Sequence, residues 1–206
     1  MAVRPEIRGA ELSEGGLDVL AQAGLALGEA RTLSDSMQIL AEAAGRATGA
    51  EIVIVRVADE ARRSLVTCAV VTTSAAVAAE LEGSRLPLED VPALEESDPE
   101  LLPEGARRAA ERVHAGAAVL IPVHVDGRVQ GSVELMRAET AFDEAELRLA
   151  RLVAGQAGLV IRAFAGADGE ADAEAVLGLA GEALAAGGDE FRTAEQVTRL
   201  ATDATG

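Results

Sequence analysis

The clearest pattern along the chain is a pair of alternating apolar and polar runs, Ala117–Val125 and Arg128–Arg137, separated by Asp126-Gly127. Asp-Gly between two such runs is a strong hairpin signal, because both residues of the tight turn adopt positive φ. A long apolar helix is predicted to follow over Asp143–Phe164. This part of the chain therefore predicts a β-hairpin joined to a long helix.

A two-residue turn with unbroken pairing divides the hairpin into two faces. One face is almost wholly apolar and is expected to lie against helices: Ala118, Leu120, Pro122, His124, Val129, Gly131, Val133 and Leu135. The other is apolar on one strand and mixed on the next: Val119, Ile121, Val123, Val125, Gln130, Ser132, Glu134 and Met136. The second face is expected either to line a cavity with a few polar groups or to meet water.

The first part of the chain predicts two helices. Leu17–Ala30 has apolar residues at alternating spacings of three and four, which predicts a helix with a seam for another helix. Thr32 and Asp35 fit a capping box that starts a second helix. That helix is predicted to run to Thr48 and to end at Gly49, which can adopt a left-handed conformation.

Two strands, Glu51–Val57 and Ser64–Val71, have apolar residues on both faces, which is typical of strands covered on both sides. Short helices are predicted over Ser74–Leu81 and Gly105–His114. The intervening segment, Glu82–Glu104, is rich in proline and acidic residues. It is predicted to be a solvated loop or, as the alternative, a mobile lid over a pocket.

The predicted last helix carries a heptad stripe made of Leu147, Ala150, Ala154, Ala157, Ile161 and Phe164. Further apolar residues widen this surface, so that one side can cover the sheet while the other needs a partner helix. The seam of Leu17, Leu20 and Leu27 is a matching partner. An ordinary intrachain helix pair is one outcome; we expect instead that the same seam of a second copy completes a four-helix bundle in a homodimer.

Composition narrows the function. The 18 basic and 35 acidic residues give a net charge of −17, which argues against a nucleic-acid surface. Three phenylalanines are the only aromatic residues, so haem, tetrapyrrole or a stacked nucleobase is disfavoured, and no cofactor is expected. A single cysteine, Cys68, excludes an intrachain disulfide and a cysteine metal cluster, and no metal site is expected. Without a signal peptide or a bilayer-spanning segment, a cytoplasmic protein is expected.

Taken in order, these elements resemble the GAF domain pattern over residues 15–165. The resemblance is carried by the opening helix that ends at Gly49, Val119–Val123, the Asp126-Gly127 turn, Gly131–Leu135, Phe142-Asp143-Glu144 and Leu149–Ala157. It implies an α+β fold, PAS-related, with a central antiparallel β-sheet of about six strands flanked by helices, plus a C-terminal helical extension. It also implies a ligand cavity between the sheet and residues 74–115.

The resemblance implies a regulatory, small-molecule-sensing module of a bacterial signal-transduction protein. Such a module relays through its terminal helices to a downstream kinase, cyclase or phosphatase domain. The ligand-binding candidates are Cys68, Leu86, Leu88, Arg107, Val113, Val119, Ile121, Ser132 and Glu134. The alternative is a purely structural dimerisation module without a ligand. No catalytic constellation is recognisable, and the absence of asparagine removes the cyclic-nucleotide signature of phosphodiesterase GAF domains.

The two ends of the chain lie outside this unit. Residues 1–14 are predicted to be a disordered lead-in. Residues 166–206 are predicted to be a linker and two helices that resemble the start of a second, truncated GAF domain, because Ala47-Thr48-Gly49 recurs as Ala204-Thr205-Gly206. Gly187–Phe191 spells the signature of diguanylate cyclases, but polar residues follow it and lysine and asparagine are missing, so a cyclase fragment is the weaker hypothesis.

Overall fold

A computed structural model describes residues 14–98 and 100–166. The expected linker and second set of helices in residues 166–206, including Gly187–Phe191, lie outside the described residues apart from Gly166, which ends the last helix. So does the expected lead-in, apart from its last residue, which begins the first helix.

The described residues contain five α-helices: α1 (Glu14–Leu27), α2 (Leu33–Thr48), α3 (Ala75–Leu81), α4 (Glu104–Arg112) and α5 (Glu144–Gly166). The strands in this part are β1 (Ile52–Ala58), β2 (Ser64–Thr72), β3 (Arg85–Pro87), β4 (Ala117–Val125) and β5 (Arg128–Arg137). Each helix and strand predicted from periodicity over these residues is present. The segment predicted as a loop differs, because it contains β3 and a 3₁₀ turn at Leu88–Asp90.

The strands form one antiparallel sheet in the order β3-β2-β1-β5-β4. The described residues thus supply five strands where about six were expected. Beyond β4, Glu96 forms a single bridge with Leu120, and each N–H lies 2.9 Å from the other residue's carbonyl oxygen. A longer sixth strand is disfavoured because this segment is interrupted by prolines, which have no N–H to donate.

A β-bulge between Val123 and His124 corrects the predicted faces of the hairpin. The turn pairs Val125 with Arg128 as expected, but beyond the bulge Ile121 lies opposite Val133. One extra residue shifts the register by one. The β4 residues on the far side of the bulge from the turn, Ala117–Val123, therefore lie on the opposite face from the one predicted relative to β5. The predicted grouping of Val119 and Ile121 with Ser132 and Glu134 is therefore wrong.

The sheet is covered on both sides. α2 and α5 lie against one side of the sheet, with α1 packed on these two helices, and we call this the bundle side. We call the other side, which is covered by α3, α4 and residues 88–98 and 100–103, the α4 side. The core of the bundle side includes Val53, Val55, Val119, Ile121, Val133 and Leu135. The core of the α4 side includes Ile52, Ile54, Leu86, Leu120 and Met136. This burial on both sides confirms the prediction that β1 is a strand covered on both faces.

Local signals at turns and caps are confirmed. The Thr32 hydroxyl accepts a hydrogen bond from the Asp35 N–H at 3.0 Å, and α2 ends at Gly49 with a φ of 66°. In the hairpin turn, Asp126 and Gly127 have φ values of 51° and 72°. Such contacts lie within a few residues of sequence, which is why the sequence pattern alone located them.

Gly131 in β5 leaves room for its neighbours. A Cβ at this position would lie 2.6 Å from the carbonyl oxygen of Arg56 and 3.3 Å from the Ile161 side chain, so a clash with backbone follows. We expect Gly131→Ala to lower the free energy of unfolding by about 1–3 kcal/mol, the usual range for overpacking, as measured by urea denaturation.

Gly155→Ala is the matched control, because a Cβ there meets nothing within 4 Å and Gly155 lies inside α5. This substitution should raise the free energy of unfolding by up to about 1 kcal/mol, as for an exposed helix interior. Equal stability of the two variants would contradict the close packing at Gly131.

The turn between β1 and β2 is organised by Asp59. Its carboxylate accepts hydrogen bonds from the Arg63 N–H at 2.9 Å and from the Ser64 hydroxyl at 2.9 Å. These bonds, the Arg63 N–H first, lower the pKa of Asp59 from 3.8 to about 2. The Arg85 guanidinium also approaches the carboxylate, at 2.9 Å.

Since the pKa of Asp59 is lower in the folded chain than in the unfolded chain, its ionised form stabilises the fold above the ordinary carboxyl pKa. That contribution is lost as pH falls from about 4 towards 2. An NMR titration of the Asp59 carboxyl carbon should show a midpoint near pH 2. Ser64→Ala should raise the midpoint more than Arg85→Gln does, and a wild-type midpoint at an ordinary carboxyl value would refute this account.

Candidate functional site

A buried arginine occupies the centre of the sheet. Arg56 follows Ile52 and Ile54 at alternate positions of β1, so its side chain lies on the α4 side with theirs. Only 2% of the residue is exposed. A guanidinium is permanently charged and has five N–H donors, so burial at this depth requires partners.

Residues of β5, β2 and the segment before β3 supply those partners. Arg56 Nε lies 2.6 Å from Glu134 Oε1, and both side chains are buried. Arg56 Nη1 donates to Thr67 Oγ1 at 2.8 Å and to Ser84 Oγ at 2.8 Å. The Ser132 hydroxyl donates to Glu134 Oε1 at 3.2 Å. We call these five residues the Arg56 network.

The network has a structural consequence and a chemical one. Removing either partner of a buried ion pair leaves an unpaired charge in a low-dielectric environment, which is strongly unfavourable. A fully hydrogen-bonded network therefore holds three strands and the segment before β3 in one arrangement. Chemically, Arg56 can pair with a carboxylate or phosphate, for which its planar fork is well shaped.

The apolar core of the α4 side, on the same side of the sheet as the network, contains several of the predicted ligand-binding residues. Leu86 in β3 is buried in the core of the α4 side, and Leu88 and Val113 pack against that core. Ser132 and Glu134 lie on the same side of the sheet as members of the network. The structure therefore places five of the nine candidates together on the α4 side.

The other four candidates lie elsewhere. Val119 and Ile121 are buried in the bundle-side core because of the bulge, so they lie across the sheet from Ser132 and Glu134. Arg107 is partly exposed on α4 and forms ion pairs with Glu104 and Glu111.

Cys68 is the remaining candidate. It lies at the point where the pairing of β1 with β2 shifts register, without a partner residue on β1. With Ser34, Gln38 and Glu82 it lines a cleft of about 330 Å³ between α2 and α3. Burial raises the pKa of the Cys68 thiol, and a hydrogen bond with Ser34 opposes this effect. A raised pKa disfavours the reactive thiolate.

Sequence reasoning missed Arg56, Thr67 and Ser84. The signal for Arg56 was a charged residue at an alternate position after two buried isoleucines, which predicts a buried charge in need of a partner. Thr67 and Ser84 have no comparable signal. Their roles depend on the register of β2 with β1 and on the path of the chain before β3, which no local pattern specifies.

The residues expected to form relay and dimer helices are packed within the chain. Leu20, Leu27, Ala150, Ala154, Ala157 and Ile161 are buried in the bundle-side core, and Leu17, Leu147 and Phe164 pack against it. α1 packs mainly on α2, and α2 packs on α5. At Gly158, a Cβ would lie 3.0 Å from the His124 carbonyl oxygen, which shows how closely α5 lies on β4. The heptad stripe is therefore used inside the chain.

Two further observations bear on the kind of site. Within the described residues, no helix has the length and hydropathy that a membrane span requires. In the same part of the chain, no group of three or more His, Cys, Asp or Glu side chains is arranged to hold a metal ion.

One antiparallel sheet with a helical bundle on one side and short helices and a loop on the other defines an α+β architecture. The sequence model of the GAF domain family matches residues 30–162. The chain therefore belongs to the GAF domain family. GAF domains are small-molecule-sensing regulatory modules of signalling proteins and are generally not catalytic. No curated protein sequence matches the chain.

Solved structures confirm the fold. The chain is similar to the GAF domain of an Acinetobacter phosphoenolpyruvate-protein phosphotransferase, with 16% identity, a TM-score of 0.59 and coverage of 76% of this chain and 98% of that one. It is also similar to a GAF domain/HD domain protein from Geobacter sulfurreducens, with 17% identity, a TM-score of 0.56 and coverage of 66% and 97%. The chromophore-binding domain of Stigmatella aurantiaca bacteriophytochrome matches with 13% identity, a TM-score of 0.59 and coverage of 77% and 63%.

A double-mutant cycle tests the energetic role of the Arg56 network. We expect Arg56→Met and Glu134→Leu each to lower the free energy of unfolding by about 3–5 kcal/mol. Each substitution leaves the other member of the pair as a buried charge without its partner. The double variant should lose clearly less than the sum, as measured by chemical denaturation.

The exposed pair of Arg108 and Glu104 is the matched control, with side chains 67% and 50% exposed. The corresponding cycle there should give a coupling of no more than about 1 kcal/mol. Similar couplings for the two pairs would contradict a special role for the buried pair.

Proposed function

We propose that this chain is the sensing module of a bacterial signal-transduction protein and that its ligand binds on the α4 side of the sheet. The observation that carries the proposal is the Arg56 network, a buried charged cluster beneath the apolar cover of a GAF-family sheet. The ligand-binding residues we propose are Leu86, Leu88, Val113, Ser132 and Glu134, with Arg56 added. A small molecule with an anionic group fits this chemistry, because it can replace Glu134 as the partner of Arg56.

Entry of a ligand requires the cover to move. Leu86 and Leu120 are fully buried in the α4-side core, so the ligand must take the place of apolar side chains there. The cover consists of α3, α4 and a loop-rich segment, and such elements open at lower free energy than a central sheet. We propose that Arg107, which is partly exposed on α4, contacts the ligand at the rim of the opened site.

A movement of Glu134 is transmitted to α2 and α5 through β5. β5 carries Glu134 on the α4 side and Val133 and Leu135 on the bundle side. At the end of β5, Arg137 donates to the Thr48 carbonyl oxygen at 3.0 Å and pairs with Glu146 of α5 at 2.7 Å. A shift of β5 therefore moves the end of α2 and the start of α5 together.

In the proposed protein, α1 and α5 pass this movement to a kinase, cyclase or phosphatase domain. We also propose a homodimer in the cytoplasm. Because the heptad stripe is covered inside the chain, the dimer contact must use outward-facing residues of the bundle, such as Leu25 on α1, which is 72% exposed.

A structural module that dimerises without a ligand is the second candidate. The dense packing of the α4-side core favours it, because Leu65, Leu86 and Leu120 are fully buried there. A module of this kind would use the Arg56 network only to specify the fold.

Native mass spectrometry of the full chain, purified from cells without denaturation, separates the two candidates. A sensor should carry a small molecule of defined mass, and Ser132→Ala should reduce its occupancy, because Glu134 loses a hydrogen-bond donor. Gly155→Ala, whose position is open to solvent on α5, is the matched control and should keep the bound molecule. A dimer without any bound molecule, and with no thermal stabilisation by a set of small organic acids and phosphates, would reject the sensor.

A further inference from the structure

We infer that the chain has a second binding site, for a small organic anion, in a cleft at the turn end of the sheet. The cleft has a volume of about 490 Å³, which is within the range of small-molecule sites. Three arginines, Arg62, Arg128 and Arg162, line it together with Asp126. The cleft shares no residue with the Arg56 network, so this inference goes beyond the proposed function.

The fold brings the three arginines together from distant parts of the sequence. Val57, near the end of β1, pairs with Gly131, near the start of β5, so the β1–β2 turn and the hairpin turn lie at the same end of the sheet. Arg62 belongs to the first turn, and Arg128 follows the second. α5 packs against β4 and ends over this region, which adds Arg162.

The turn that carries Arg62 is held in a defined conformation. Arg62 has a φ of 51°, which is uncommon for a residue with a side chain. Its N–H donates to the Asp59 carbonyl oxygen at 2.8 Å, and the Asp59 carboxylate binds the following residues of the turn. This hydrogen bonding fixes the backbone that presents Arg62 to the cleft.

Among residues 14–98 and 100–166, few partners balance the positive charges in the cleft. Within the described residues, the guanidinium groups of Arg62 and Arg128 form neither an ion pair nor a hydrogen bond. Arg162 approaches Asp126 at 3.8 Å, close to the limit for an ion pair. Two guanidinium groups without an ion-pair partner in the described part of the chain therefore create a local positive site on a protein of net charge −17.

The remaining walls indicate the chemical class of the ligand. Val125 and Ile161 supply apolar surface, and Gln130 supplies an amide. Guanidinium groups bind phosphate and carboxylate through paired N–H donors. The arrangement therefore suits an organic phosphate or carboxylate with a short apolar body.

Isothermal titration calorimetry of the full chain at physiological ionic strength tests the site, with inorganic pyrophosphate and succinate as probes. We expect saturable binding of one equivalent of at least one probe. The probe that binds more tightly identifies phosphate or carboxylate as the preferred group. Arg62→Gln and Arg128→Gln should each raise the Kd about tenfold, as for the loss of one charge-assisted hydrogen bond.

Arg108→Gln removes the same charge from the exposed surface of α4 and is the matched control. The Kd of this variant should equal that of the wild type. Equal weakening by Arg108→Gln, or no saturable binding of either probe, would overturn the inference.

NMR spectra of the wild-type chain provide a measurement that does not depend on the stability of a variant. The side-chain Nε–H signals of Arg62 and Arg128 should shift during the titration, whereas that of Arg56 should not. Shifts spread over all exposed arginines would instead show unspecific attraction.

Discussion

The burial of Arg56 together with Glu134, as an ion pair between β1 and β5, is the constraint on which the rest of the sheet depends. Arg56 Nε and Glu134 Oε1 are 2.6 Å apart, and both side chains are buried. A buried charge is tolerated only with its full set of partners, so β1, β2 and β5 must keep their relative positions. The bundle side and the α4 side are then packed against a sheet whose centre has one favourable arrangement.

The two sides of the sheet differ, because the buried ion pair lies on the α4 side only. The bundle side is a continuous apolar core in which α5 lies directly on β4, with Gly158 beside the His124 carbonyl oxygen. The α4 side combines an apolar core with a charged centre, beneath a short helix and an irregular segment. In the proposed function, the α4 side with its less regular cover binds the ligand and the helices of the bundle side transmit the change.

Most of the elements were predictable from the sequence because their signals are local. The capping interaction of Thr32 with Asp35, the left-handed Gly49 and the two turn residues of the hairpin each depend on a few neighbouring residues. The candidate site was predictable only in part. Leu86, Leu88 and Val113 were placed through the family resemblance, whereas Val119 and Ile121 were assigned to the wrong side by a register that did not allow for the bulge.

The sequence by itself determined the order and approximate positions of the five helices and of β1, β2, β4 and β5, but not β3, because capping, turn geometry and periodicity act over short distances. It also determined that β1 is covered on both sides. Only the tertiary structure decided which side chains meet: the bulge at Val123 and His124 sets the faces of the hairpin, and the pairing of β1 with β5 brings Arg56 to Glu134. These contacts join residues far apart in the chain, where a shift of one residue reverses every face, and no short pattern carries that information.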